Sequence, residues 1–160
     1  MRTIRLRTAL RAGLVMLVLE AVTIGVQALF FPMYFYQKFL FGRGWVAMMP
    51  PYNEHITRDL GALYLGFGVV LGYAAVKMSR DLFNGAVASF VVATIPHMTF
   101  HAAHTDMAPQ LLDKVLQVGA LALTVALGLA MMYLGRGYFR SSDATTAPAQ
   151  AHTSTQGALR

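Results

Sequence analysis

Four apolar runs of nearly equal length govern what this chain can become. They extend roughly over Ala12 to Phe31, Leu60 to Val76, Leu82 to Ala103 and Leu111 to Leu134. Each approaches the ~20 residues that carry an α-helix across the hydrocarbon of a bilayer. Lipid offers no hydrogen bonds to the backbone, so helices that satisfy their own N–H and C=O groups are the natural way for such runs to cross. The expectation is an all-α protein: a four-transmembrane-helix bundle occupying residues 1–140, followed by a disordered cytoplasmic tail at 141–160. The tail residues, His152 included, are mostly Ser, Thr, Ala and Gln, and have little to bury.

Charge supports the same reading. Only 12% of the chain is charged, about half the share usual in a soluble domain, and the mean hydropathy is +0.51. The net charge of +6 does not signal nucleic acid, because the cations flank apolar runs instead of forming a basic face. Arg2, Arg5, Arg7, Arg11, Lys77, Arg80, Arg136 and Arg140 fall on one side of the four runs, and Lys38, Arg43, Arg58 and Lys114 on the other. The eight against four predict both termini in the cytoplasm and a multi-pass protein of the plasma membrane. The first run is too long for a signal-peptide core and lacks a small-residue cleavage site, so it is expected to stay as a helix. Cysteine is absent, which removes disulfides, thiolate metal sites and cysteine nucleophiles.

The first outer connection, Pro32 to Asp59, is dense in aromatic residues, with Trp45 near its middle. Such rings favour the headgroup layer, so a short helix or cap on the outer surface is expected, with a lid as the alternative. In the second run, Gly61, Ala62, Gly66, Gly68 and Gly72 predict a tight helix–helix seam.

Ionisable groups within the membrane are costly and turn toward an interior or a cavity. Pro96-His97-Met-Thr-Phe-His101-Ala-Ala-His104-Thr-Asp106 closes the third run. The spacing i, i+4, i+7 sets His97, His101 and His104 on one helical face. Imidazoles so placed suit copper, zinc, iron or haem, or a hydrogen-bonded polar face that handles protons. Asp106, Gln110, Asp113 and Gln117 follow the spacing 4, 3, 4, and the short connection makes the third and fourth helices antiparallel neighbours. Asp113 and Gln117 therefore sit opposite the histidine row, as ligands or as groups that orient the rings. Asp106 has a plainer role as a cap on the fourth helix. Glu54, His55 and Asp59 enter the second helix at similar height, Glu54 paired with Arg58 at i, i+4. Glu20 and Gln27 share a face of the first helix. Glu20 lies ~12 Å inside the boundary, too deep to join the outer cluster directly, and a proton path through Gln27 to His97 is conceivable. Metal candidates are thus His97, His101, His104, Asp113 and His55, with Glu54, Asp59, Asp106, Gln117, Gln27 and Glu20 as supporting or proton-handling groups.

Phosphate loops, nucleophile elbows and His-Glu-x-x-His are missing, so nucleotide use and familiar hydrolase chemistry lack support. Ala28-Leu-Phe-Phe-Pro32, the long outer connection, and the charged entry followed by Asp59-Leu-Gly-Ala-Leu-Tyr-Leu-Gly-Phe-Gly68 resemble the DoxX-like family of small four-helix membrane proteins over about Arg11 to Leu134. Some of that group resemble quinone-linked oxidoreductase subunits, which implies electron transfer at the bilayer. The histidine row is not part of the resemblance. Three functions follow as expectations. The first is an outward-facing His/Asp/Glu pocket in a metal- or haem-binding membrane subunit, redox or quinone-linked. The second is an accessory or assembly subunit of a membrane complex. The third is a pocket for a lipid, a quinone or another apolar small molecule without metal.

Overall fold

A computed structural model describes residues 2–146. The chain is all-helical over these residues: α1 (Arg2–Phe30), α2 (Pro32–Lys38), α3 (Glu54–Lys77), α4 (Arg80–Ala103), a 3-10 turn (Thr105–Met107) and α5 (Leu111–Thr146). α1, α3, α4 and α5 are long and apolar enough to cross a membrane. The shortest have 24 residues, or ~36 Å at 1.5 Å per residue, against ~30 Å of hydrocarbon. Large apolar side chains stand on the outside, with Leu19, Leu63, Val69 and Leu123 all more than 60% exposed. A water-soluble fold does not tolerate that coverage on every helix, so the outer surface is built to meet lipid. The chain is a multi-pass membrane protein. The expected tail starts at 141, α5 runs on through Thr146, and residues 147–160, with His152, lie outside those described.

α1 packs most extensively against α3, and α4 against α5; the α1–α5 and α3–α4 contacts close the ring. Glycine sets the α1–α3 distance. A methyl at Gly61 would lie 2.9 Å from the Gly25 carbonyl oxygen, and one at Gly68 would lie 3.1 Å from Val22. The side chain of Gly61 is thus replaced by the backbone of α1. Gly66 faces open space instead, so it takes no part in the seam expected of all five small residues.

Residues 2–11, 77–80 and 136–146 gather at one end, here the terminal side; 31–53 and 104–110 gather at the other, the loop side. The two halves differ in what they bury. The apolar core occupies the terminal half: Leu10, Leu14 and Leu17 of α1, Leu71 of α3, Phe83, Val87 and Phe90 of α4, and Met131 and Phe139 of α5. Thr57, Thr94, Asp113 and Gln117, the buried polar residues among those described, all belong to the loop half. Thr57 and Thr94 donate to carbonyls one turn back, whereas Asp113 and Gln117 bond to other parts of the chain.

The connection between α1 and α3 is part helix and part turn. Proline at the first position of α2 supplies a fixed φ and loses no needed N–H. After Lys38 the chain turns through Gly42 (φ 80°) and Gly44 (φ 66°), conformations open to glycine. A methyl at Gly44 would also meet the Gln37 carbonyl oxygen at 2.8 Å. Asn53 then caps α3 by accepting the Ile56 N–H at 3.1 Å. Arg58 reaches Glu54 at 2.8 Å, the i, i+4 pair expected from sequence, and also donates to the Leu29 carbonyl at the end of α1.

Candidate functional site: a histidine relay beneath a tethered connection

α4 continues through Pro96 to Ala103, so His97 and His101 stand one turn apart on a common face. Their Nε2 atoms are 3.0 Å apart. His101 Nδ1 lies 3.0 Å from Gln117 Oε1 on α5. Gln117 in turn points Nε2 at the Met48 sulfur, 3.3 Å away. This orientation fixes the direction of the chain. An amide oxygen only accepts, so His101 carries its proton on Nδ1 and presents a lone pair at Nε2. His97 must then donate from Nε2, and its own Nδ1 is left as an acceptor with no protein partner among the described residues. Met48, Gln117, His101 and His97 form a relay that runs from a half-buried thioether to the imidazole of the exposed His97.

One turn toward the loop side, Asp113 is 3% exposed. It accepts from the Trp45 indole at 2.8 Å and from Arg43 Nε in an ion pair. Arg43 also reaches Gln110 at 3.3 Å. The hydrogen bond to Asp113 holds the Arg43 guanidinium above its ordinary pKa, with burial opposing. The Gly-Arg-Gly-Trp turn is thereby tied to α5 directly above the relay. The Tyr52 hydroxyl is enclosed near the same connection without a hydrogen-bond partner. Burial first, and then the negative Glu54, push its pKa up. An enclosed hydroxyl of this kind needs a water or a ligand to satisfy it.

The other predicted residues lie apart. His104 follows the last helical residue, at φ −119° and ψ 36°, so the i+7 position has left the face that sequence spacing assigned it. Its Nδ1 contacts the Phe100 carbonyl at 2.8 Å and its ring stacks on Phe100 at 4.1 Å. His55 pairs with Asp59 at 3.3 Å on the surface, and Glu54 is taken by Arg58. Asp106 is exposed within the 3-10 turn. Met107, Ala108, Pro109 and Gln110 separate it from α5, so it does not cap that helix. In the middle of the bundle Thr124 donates to Glu20, with the carboxylate oxygens 3.0 and 3.3 Å away. Gln27 donates to the Thr23 carbonyl of its own helix at 3.2 Å, so no hydrogen bond carries Glu20 through Gln27 to His97. Among the described residues no three of His, Asp and Glu converge as a metal cage.

Of the residues singled out by sequence spacing, the structure brings His97, His101 and Gln117 together and sets Asp113 one turn away; their neighbours Arg43, Trp45 and Met48 were not singled out. A cation set between two glycines and followed by the single tryptophan was the available signal. No protein-family model, curated protein or solved structure matches this chain.

Proposed function

We propose that this protein sits in the plasma membrane with both ends in the cytoplasm. In this reading, the histidine face on its outward-facing loop side binds an apolar small molecule that carries a hydroxyl head, a quinol being the type. His97 Nδ1 accepts the hydroxyl proton. His101 and Gln117 hold the His97 ring in the tautomer that makes it an acceptor. The turn tied down through Arg43 and Trp45 covers the head, while the tail lies among the lipid-facing side chains. In that sense the chain is read as a quinone-linked, DoxX-like membrane protein. The observation that carries the proposal is the unpartnered Nδ1 at the end of a directed hydrogen-bond chain, set at membrane depth where such a nitrogen is expensive to leave unsatisfied.

The test is extraction of the detergent-purified protein with organic solvent, followed by quinone analysis. Wild type carries quinone or quinol near stoichiometry, and His97→Ala, with unchanged helical content, loses most of it. No quinone in wild type, or equal amounts in both, overturns the reading.

The Nε2–Nε2 distance favours a second reading. Nitrogens 3.0 Å apart can both bind one ion at ~2.0–2.1 Å. Elemental analysis and an optical spectrum of the same preparation decide it: copper, zinc, iron or haem at stoichiometry in wild type and lost in His101→Ala would replace the quinol reading.

A further inference from the structure

The opposite face of α5 carries a second feature, independent of the relay. Ala102 at the end of α4, Thr105 of the 3-10 turn and Lys114, Val115, Val118 and Gly119 of α5 line a shallow, wide-open groove on the lipid-facing surface. Gly119 faces open space, where a methyl would meet nothing within 4 Å. The floor is apolar, and Lys114 stands at the mouth, in the second turn of α5. Gly119 lies about 7.5 Å further into the membrane.

The Lys114 ammonium has no ion-pair or hydrogen-bond partner among the described residues. The carboxylate adjoining it in sequence, Asp113, turns to the bundle interior and is neutralised by Arg43. The other nearby carboxylate, Asp106, is exposed in the turn beyond Thr105. A half-buried cation at headgroup level, a hydroxyl beside it and an apolar channel leading down from both match one kind of molecule in outline. It has an anionic phosphate above and a hydrocarbon chain below.

We propose that this groove binds an anionic phospholipid, its phosphate on Lys114 and Thr105 and one acyl chain along Val115, Val118 and Gly119. Zwitterionic lipids share the phosphate but carry a compensating cation, so they bind less tightly.

Native mass spectrometry of the full chain, released from detergent with phosphatidylglycerol or phosphatidylcholine of identical acyl chains, tests this. Wild type retains phosphatidylglycerol about fivefold better, the equivalent of ~1 kcal/mol for one cation at an anionic lipid surface. Lys114→Gln removes the preference and Lys114→Arg keeps it. Gly119→Leu, which fills the channel, lowers retention of both lipids. Equal retention of the two lipids by wild type overturns the proposal, as does an undiminished preference in Lys114→Gln. Lys114-dependent adducts of inorganic phosphate in place of phosphatidylglycerol also overturn it, because the acyl channel would then play no part.

Discussion

Replacing Gly61 by alanine tests the helix seam that holds the site's scaffold. In most helix interiors this change stabilises by ~0.8–1 kcal/mol, because alanine loses less backbone entropy. At Gly61 the added methyl would sit 2.9 Å from both the Gly25 carbonyl oxygen and the Ala28 carbonyl carbon, and against the Leu29 N–H as well. These are backbone atoms of α1, so no side chain can swing aside and the two helices must separate. Overpacking of this kind costs ~1–3 kcal/mol, and a rigid neighbour puts it at the upper end. The net loss is therefore ~2 kcal/mol, or about 30-fold in the folded-to-unfolded ratio. Gly66 supplies the control, since it lies on the same helix and its methyl would meet nothing within 4 Å. Gly66→Ala should be neutral or gain up to ~1 kcal/mol. The two variants are compared by unfolding in mixed micelles of rising dodecyl sulfate content, followed by far-ultraviolet circular dichroism. Gly61→Ala should unfold at a clearly lower dodecyl sulfate fraction than wild type. Coincident transitions for both alanine variants would refute the close-approach argument.

Trp45 is the single tryptophan of the chain and only 8% exposed, so its fluorescence reports on the tethered turn. Asp113→Ala should shift its emission to the red and raise iodide quenching, Arg43→Gln should do so less because the guanidinium is partly solvated, and the reverse order would contradict the tether geometry. The hydrogen bond to Asp113 raises the Arg43 pKa, so that group's contribution is fully present below its ordinary pKa and is lost only as pH rises through the raised value. Quenching of Trp45 should accordingly stay flat between about pH 7 and 10, and a rise in that window would show that another group governs the turn. For orientation, single cysteines in place of Asp106 and Ser79 should label oppositely with an impermeant reagent on intact cells, Asp106→Cys reacting and Ser79→Cys not. Equal labelling of the two would remove the topology drawn from the cation count.

Spans, seam and part of the site could be read from sequence because each follows from local periodicity. Hydropathy marks four helices without reference to their neighbours. The Glu54–Arg58 pair and the shared face of Asp113 and Gln117 are fixed by helical spacing alone. His104 shows where that logic stops: spacing predicts a third imidazole on the face, but the helix ends at Ala103 and the ring turns onto Phe100. Asp106 was displaced for a similar reason, a 3-10 turn standing where the fourth helix was expected to begin. Arg43, Trp45 and Met48 were harder to foresee. Their reach to α5 depends on a left-handed turn at Gly42 and Gly44 and on a partner about 70 residues away, which no periodicity encodes. Pairing of α1 with α3 was likewise hidden, because the glycines of α3 announce a close approach without saying to which helix.

His97, the acceptor at the end of the relay, is the centre of the proposed quinol site, and ligand titration probes its nitrogen most directly. A short-chain quinol analogue is added to the protein in detergent while Trp45 emission is followed. Wild type should show saturable quenching. His97→Ala should weaken it at least tenfold, and His101→Ala should weaken it too by releasing the His97 tautomer. Linear, non-saturating quenching of wild type, or saturation at the same concentration in all three proteins, would contradict the proposed quinol site at His97.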